Sequence, residues 1–233
     1  MKVGTDSIVL GSFASHCLGN HCASYTPENA LDIGCGSGLL SLMLAQWAGG
    51  NLHVTAVEID PPAYQQALDN VANSPWPKAV TVVHSDIKLH QSRPARGYDV
   101  VISNPPYFET LGEERRGFQG YSEQRQTARS QQSLSLETLT AELANNLSER
   151  GKGYLILPSA SATIWEQAIA KSGLTIEVRL NVKAREDKPV SRVCYEIGRE
   201  CDRTDNQHLT IYTKDNVYTE QYRRLCQHYY VNF

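Results

Sequence analysis

The run at residues 30–38 restricts the fold more than any other part of the chain. Ala30-Leu31-Asp32-Ile33 is a short apolar strand that leads into Gly34-Cys35-Gly36-Ser37-Gly38. An apolar helix pattern follows over residues 39–48, with Leu40, Leu42, Met43, Leu44 and Ala45. Strand, glycine turn and helix open a βαβ unit, which needs a parallel partner strand and helical cover. The glycines let a ligand approach the backbone, and the helix N-terminus offers amide donors. The spacing is G-x-G-x-G, not the G-x-G-x-x-G of dinucleotide sites. Taken alone, such a turn is as readily a tight connection as a ligand cradle.

The next strand ends add to it. Residues 53–59 form a second strand closing on Glu58 and Ile59, and residues 61–72 a helix. Glu58 lies 24 positions beyond Gly34, where an acid can accept both hydroxyls of a ribose. Residues 79–84 form a third strand, followed by Asp86 and Ile87. Residues 98–103 form a fourth, delivering Asn104-Pro105-Pro106-Tyr107. Two prolines stop that strand and fix where the Asn104 amide, the Pro105 carbonyl and the Tyr107 ring point. In a parallel sheet all four ends share the carboxyl edge, where ligands of open α/β sheets bind. A carboxylate at Asp86 could take an exocyclic amino group. Asn104 to Tyr107 suits gripping a planar amide or amino group. On its own this stretch is equally a strand-ending turn with a packing tyrosine, and the three preceding strand ends decide against that.

The flanks read more plainly. Residues 1–14 give a short helix and residues 16–28 a loop. Within that loop His16, Cys17, His21 and Cys22 lie close together, but no second ligand pair follows, so no metal is expected. Residues 109–133 are a long polar segment carrying Arg115, Arg116, Arg125 and Arg129 beside four glutamates. Helices are expected at 134–148 and 163–172, and strands at 154–157, 174–182 and 192–198. A charged hairpin connection, 183–189, joins the last two. Residues 208–212 read as a final strand and 219–230 as a terminal helix. No repeat or linker interrupts the chain. It is expected to be one domain: an N-terminal helix and loop (1–29), a core (30–200), and a C-terminal strand and helix (201–233).

Composition narrows the partners. The formal net charge is −3, so any nucleic-acid contact must come from a local basic patch. No apolar stretch is long enough for a membrane span. Residues 8–15 are apolar, but Asp6 and a single basic residue ahead of them do not fit a secretory signal. Six cysteines show no framework spacing and read as reduced cytosolic thiols, hence a cytoplasmic protein.

Leu31-Asp32-Ile33-Gly34-Cys35-Gly36-Ser37-Gly38 resembles the first motif of class I S-adenosylmethionine-dependent methyltransferases. Asn104-Pro105-Pro106-Tyr107 resembles the N-P-P-Y motif of the amino-group methyltransferases in that class. Met1-Lys2-Val3-Gly4-Thr5-Asp6, Asn73-Ser74-Pro75-Trp76 and the stretch from Arg125 to Arg129 narrow the resemblance. Together they are similar to the bacterial tRNA1(Val) adenine-N6-methyltransferase family, over the whole chain. In that family further residues precede the Met-Lys-Val-Gly-Thr-Asp stretch, which here opens the chain.

The resemblance implies a Rossmann-like α/β fold: a mostly parallel seven-stranded sheet, one antiparallel strand near its C-terminal edge, helices on both faces. It implies S-adenosyl-L-methionine as cofactor, S-adenosyl-L-homocysteine as product, and tRNA as partner of a monomer. Asp32, Gly34, Gly36 and Gly38 would hold the amino-acid part of the cofactor. Glu58 and Ile59 would take the ribose, Asp86 and Ile87 the adenine. Lys2, Thr5 and Asp6 would close over the methionine end, and Asn104 would reach the cofactor as well. Asn104, Pro105, Pro106 and Tyr107 would carry catalysis. Tyr107, Phe108, Arg116, Arg125, Arg129 and Arg185 would contact the RNA. Two rivals share the motif: an N6-adenine methyltransferase of ribosomal RNA and a protein glutamine N5-methyltransferase. The latter carries a sizeable helical domain before the first motif, and only about thirty residues precede it here. A non-catalytic cofactor-sensing or RNA-binding module would have no need of an intact N-P-P-Y.

Overall fold

The computed structural model describes residues 4–21, 25–91, 94–106, 135–200 and 203–233. Eight strands form one sheet: β1 (Asn29–Ile33), β2 (His53–Glu58), β3 (Val80–His84), β4 (Tyr98–Ser103), β5 (Leu147–Pro158), β6 (Thr175–Arg185), β7 (Val190–Gly198) and β8 (Asp205–Tyr212). Their order across the sheet is β3-β2-β1-β4-β5-β7-β6-β8. β7 is antiparallel to both β5 and β6, and every other pairing is parallel. The reversal at β7 puts the hairpin from Arg185 to Val190 on the same edge as the carboxyl ends of the parallel strands.

Among the described residues six helices cover the sheet: α1 (Thr5–His21), α2 (Leu39–Trp47), α3 (Pro61–Ala72), α4 (Leu136–Asn146), α5 (Ala162–Lys171) and α6 (Glu220–Cys226). Alternation along the strands feeds two cores. Ala30, Val54, Ala56, Val100 and Ile102 pack with α1, α2, α3 and α6. Leu31, Ile33, Val57, Val101 and Leu155 pack with α4 and α5 on the opposite face. This period of two, with apolar side chains on both faces, is what a parallel sheet covered on both sides requires. Asp60 starts α3 by accepting from Ala63 N (3.1 Å), with Pro61 and Pro62 in the first turn, where missing N–H groups cost nothing.

Three sequence expectations need correcting. The sheet has eight strands rather than seven, because residues 205–212 pair with β6 from Asp205 to Tyr212. The first helix does not end near residue 14: α1 continues to His21, so His16 and Cys17 are helical and not in a loop. The reason is that Leu10, Phe13, Ala14, Cys17 and Leu18 keep helical spacing on one buried face. The third concerns the strand expected at 154–157: β5 begins at Leu147 and contains Gly151, Lys152 and Gly153. There the register against β4 jumps from Tyr98↔Leu147 to Val100↔Lys152. A Cβ on Gly151 would stand 2.6 Å from the Tyr98 carbonyl oxygen, so the bulged strand needs glycine at that point.

Candidate active site

Because β1, β2, β3 and β4 are parallel, their carboxyl ends meet on one edge, with β1 and β4 adjacent. Ser103 Oγ donates to the Ile33 carbonyl (2.8 Å), tying the last residues of these two strands together. The glycine turn and Asn104 therefore leave the sheet side by side.

Gly34, Gly36 and Gly38 have φ of 69°, 58° and 78°, in the left-handed region that costs an L-residue about 1–2 kcal/mol. Gly34 N and Cys35 N both donate to the Val57 carbonyl (2.9 and 3.1 Å), which draws the turn over the end of β2. The outer two glycines differ in surroundings. A Cβ on Gly38 would touch Ala67 at 3.5 Å, whereas one on Gly34 would meet nothing within 4 Å. At Gly38 that Cβ would make ordinary contact with α3, so it is the left-handed backbone that calls for glycine there. Gly34 leaves open space in front of the turn.

Two acids flank the turn. Glu58, at the end of β2, accepts from Gly36 N (2.7 Å) and Asp60 N (2.8 Å). It is 7 % exposed, and each oxygen keeps a lone pair for a hydroxyl donor. Asp32 is fully buried in β1 and accepts from Ser41 Oγ (2.6 Å) through Oδ2, while Oδ1 has no hydrogen-bond partner. Burial raises its pKa to about 7; the Ser41 hydrogen bonds oppose this and the Glu58 charge adds to it. Further along the edge, Asp86 Oδ1 accepts from Lys88 N (3.0 Å) and Oδ2 lies 3.3 Å from Lys88 Nζ. Asp86 thereby caps the short 3-10 turn Ile87–Leu89. Ile87 is buried and Ile59 is 38 % exposed, so apolar side chains flank Glu58 and Asp86.

The start of α1 closes the other side. Asn104 Nδ2 donates to Ser7 Oγ (2.9 Å), and Arg192 Nε of β7 lies 3.0 Å from Asp6 Oδ2. Asp6 is thus ion-paired to β7, and Thr5 is the first, exposed residue of the helix.

The edge gathers Thr5, Asp6, Asp32, Gly34, Gly36, Gly38, Glu58, Ile59, Asp86, Ile87, Asn104, Pro105 and Pro106. Arg185 ends β6 on the same edge, but β5 and β7 stand between β6 and β4. Its guanidinium reaches Asp187 (3.4 Å) and Asn216 (3.2 Å). Lys2, Tyr107, Phe108, Arg116, Arg125 and Arg129 lie outside the described residues. Sequence reasoning missed Ser7, Ser41, Ser103 and the pairing role of Arg192. Ser41 carried a usable signal, as the one hydroxyl inside a leucine-rich helix turn just after a glycine run. The other three had none, since their partners come from distant parts of the chain.

A buried carboxylate oxygen without a donor, an open cradle at Gly34 and a second carboxylate with free lone pairs fit a cofactor offering an ammonium, a sulfonium and a ribose diol. A separate group of metal-ligating side chains, His21, Glu177 and Glu196, lies at the far end of α1 from Ser7. There Lys152 Nζ sits 2.5 and 2.6 Å from the Glu177 oxygens, and Tyr154 Oη and His21 Nε2 engage Glu196 Oε1 (2.8 and 2.7 Å). The Lys152 ammonium already neutralises Glu177. Among the described residues no helix is long and apolar enough to cross a membrane.

Comparison with known proteins places the chain among relatives. A family model described as "Methyltransferase small domain" matches residues 12–119. The tRNA1(Val) (adenine(37)-N6)-methyltransferase of Mannheimia succiniciproducens is 36% identical over 233 residues, covering 100% of this chain and 89% of the relative. That of Salmonella typhimurium is 36% identical over 231 residues, covering 99% and 89%. Among solved structures, a predicted O-methyltransferase from Agrobacterium tumefaciens superposes with a TM-score of 0.67 at 16% identity, covering 96% of both chains. The N-terminal domain of human METTL16, in complex with SAH, gives 0.57 at 15% identity over 86% of this chain and 73% of that one. At such identities these two speak for the fold.

Proposed function

This chain belongs to the tRNA1(Val) (adenine(37)-N6)-methyltransferase family, and on that premise we propose that Asn104 and Pro105 hold the N6 amino group of adenine 37 for methylation. The enzyme transfers a methyl group from S-adenosyl-L-methionine to that nitrogen in the anticodon loop of tRNA1(Val). The observation that carries the proposed roles is the adjacency of β1 and β4, fastened by Ser103, which sets the amide clamp beside the cofactor cradle.

When bound, the cofactor supplies an electrophilic methyl group on a sulfonium. Asp32 and the backbone of Gly34, Gly36 and Gly38 would receive its amino-acid part. Glu58 would accept from the ribose hydroxyls, with Ile59 against the sugar. Asp86 and Ile87 would take the adenine. Thr5, Asp6 and Lys2 would border the methionine end.

The adenine amino group is a poor nucleophile because its lone pair is delocalised into the ring. Asn104 Oδ1 and the Pro105 carbonyl would each accept one of its N–H bonds. Both hydrogen bonds favour a more tetrahedral nitrogen, freeing the lone pair. Asn104 and Pro105 would thus aim the lone pair at the electrophilic methyl group that the cofactor would supply, the C–S bonding pair being left on sulfur. The product ammonium is acidic and loses its proton to water, so no strong base is required. Positioning and electrostatics carry the rate. Tyr107 and Phe108, next in the chain, would stack on the base, and a loop nucleotide leaves its stack cheaply. Arg116, Arg125, Arg129 and Arg185 would meet phosphates. A tRNA substrate and cysteines without framework spacing go with a cytoplasmic location.

The test is methyl transfer from labelled cofactor to total tRNA and ribosomal RNA, followed by nucleoside analysis. Label in N6-methyladenosine of tRNA1(Val) is expected. Label confined to ribosomal RNA would replace this reading with its ribosomal rival, and no label in either RNA would favour a protein glutamine as acceptor. Asn104→Ala should bind cofactor almost normally and turn over far more slowly.

A further inference from the structure

We infer that Ser7 is a positioning residue for the methyl acceptor: it fixes the side-chain amide of Asn104 in the plane from which Oδ1 takes the substrate N–H. The inference rests on the proposed role of Asn104 in the clamp. It starts from the hydrogen bond of 2.9 Å between Asn104 Nδ2 and Ser7 Oγ, two side chains 97 positions apart.

An asparagine amide needs such a holder. The torsion that turns its plane is broad and nearly two-fold, so the side chain itself selects no orientation. The main chain of Asn104 is well fixed, because Pro105 and Pro106 follow it and Ser103 is tied to β1. That leaves the amide plane as the free variable at the reacting nitrogen. With Nδ2 engaged by Ser7, Oδ1 accepts no hydrogen bond among the described residues and remains available to a donor. A hydroxyl both donates and accepts, so Ser7 would hold the plane in either orientation of the amide. The substrate amine presents only N–H to Asn104, and this selects the orientation with Oδ1 outward.

Ser7 is also mounted rigidly. Asp6, just before it, is paired with Arg192 of β7. Ile8, Val9 and Leu10, just after it, are buried in the core. The hydroxyl is therefore carried on a helix turn fixed from both sides, as a positioning group requires. Ser7 itself is half-buried.

The experiment compares single-turnover methylation of tRNA by the wild type, Ser7→Ala, Ser7→Thr, Asn104→Ala and Ser7→Ala/Asn104→Ala, with cofactor affinity and melting temperature for each. Ser7→Ala is expected to slow the chemical step about tenfold, as modest misalignment at a reacting centre does. Its cofactor affinity and tRNA KM should stay within about twofold, since Ser7 is assigned no direct bond to either ligand. Ser7→Thr should restore the rate, because it keeps the hydroxyl. In the Asn104→Ala background, removing the hydroxyl should have no further effect, which is the mark of a coupled pair. An unchanged rate in Ser7→Ala alongside a crippled Asn104→Ala would overturn this inference and leave the clamp standing. Full activity in Asn104→Ala would overturn the clamp itself. A Ser7→Ala loss that persists without Asn104, or that comes with a lowered melting temperature, would mean a merely structural serine.

Discussion

Ser41 Oγ donates to one oxygen of Asp32 at 2.6 Å, and the other oxygen of the same fully buried carboxylate has no partner. The turn thus keeps an acceptor in reserve where the cofactor's donors are expected. Burial, chiefly, lifts the Asp32 pKa to about 7.

That shift makes the protein pH-sensitive near neutrality. The folded state holds a proton that the unfolded chain has already released, so this group's stabilising contribution is complete below about pH 4 and is lost as pH rises through 7. Ligand-free protein should therefore be easier to denature at pH 8 than at pH 5, and Asp32→Asn should remove this part of the slope in urea titrations. Cofactor donors favour the ionised carboxylate. Cofactor affinity is accordingly expected to rise about tenfold from pH 6 to pH 8. Calorimetry in buffers of different ionisation enthalpy should register a released proton. No proton release would remove Asp32 from the cradle.

Gly34 and Gly38 should separate in mutagenesis. Gly34→Ala places a Cβ in open space, so the fold should lose only about 1–2 kcal/mol from the left-handed backbone. The same Cβ would stand where the cofactor approaches, and affinity should fall by more than the stability does. Gly38→Ala should cost the same left-handed strain, with its Cβ in ordinary contact with Ala67 of α3 and with little effect on cofactor affinity. Equilibrium binding and thermal melts on both variants check this, and normal cofactor affinity in Gly34→Ala would argue against the cradle.

Glu58 has two duties in this site. Its carboxylate satisfies Gly36 N and Asp60 N, so Glu58→Ala strands two backbone donors at a cost of about 1–3 kcal/mol each, less whatever water recovers. Glu58→Gln keeps one acceptor oxygen and should recover part of that stability. Both variants should bind cofactor poorly if the ribose lies here. A stable Glu58→Gln with wild-type cofactor affinity would place the ribose elsewhere.

RNA affinity should depend steeply on salt. Arg185→Ala is expected to weaken tRNA binding severalfold and to lower the slope of log affinity against log salt by about 0.9 for each phosphate left without its cation. Cofactor affinity should not move, since Arg185 stands three strands from Asn104. A slope identical to that of the wild type would exclude a phosphate partner for Arg185.

The juxtaposition on which the proposed cofactor site rests was legible because its parts are local. Asp32 and the three glycines belong to one strand-turn-helix segment. Glu58, Asp86 and Asn104 each end a strand that apolar periodicity marks out, and parallel pairing brings strand ends together without further information. What stayed hidden depends on pairings between distant segments. Nothing near Ser7 in sequence announces Asn104, and nothing near Asp6 announces Arg192. The length of α1 was missed because polar His16, Asn20 and His21 masked the buried Cys17 and Leu18 behind them. The strand at 154–157 was read too short, since a bulge at glycines 151 and 153 is recognisable only against its partner strand. β8 was visible as a strand, but its attachment to β6 follows from an edge that no local pattern describes.

The lone reversed strand, β7, has a consequence for how such an enzyme can diverge. The turns after β1 and β2 lead into crossover helices, and the turns proposed to bear the cofactor residues are held by Val57, Glu58 and Ile33. The hairpin from Arg185 to Val190 reaches the same edge through a short exposed turn with no crossover to maintain. Such a turn tolerates insertion and exchange. With the proposed phosphate contact at Arg185, recognition of a new RNA would be rewritten there, a few residues at a time, while the proposed chemistry stays fixed on the other half of the sheet.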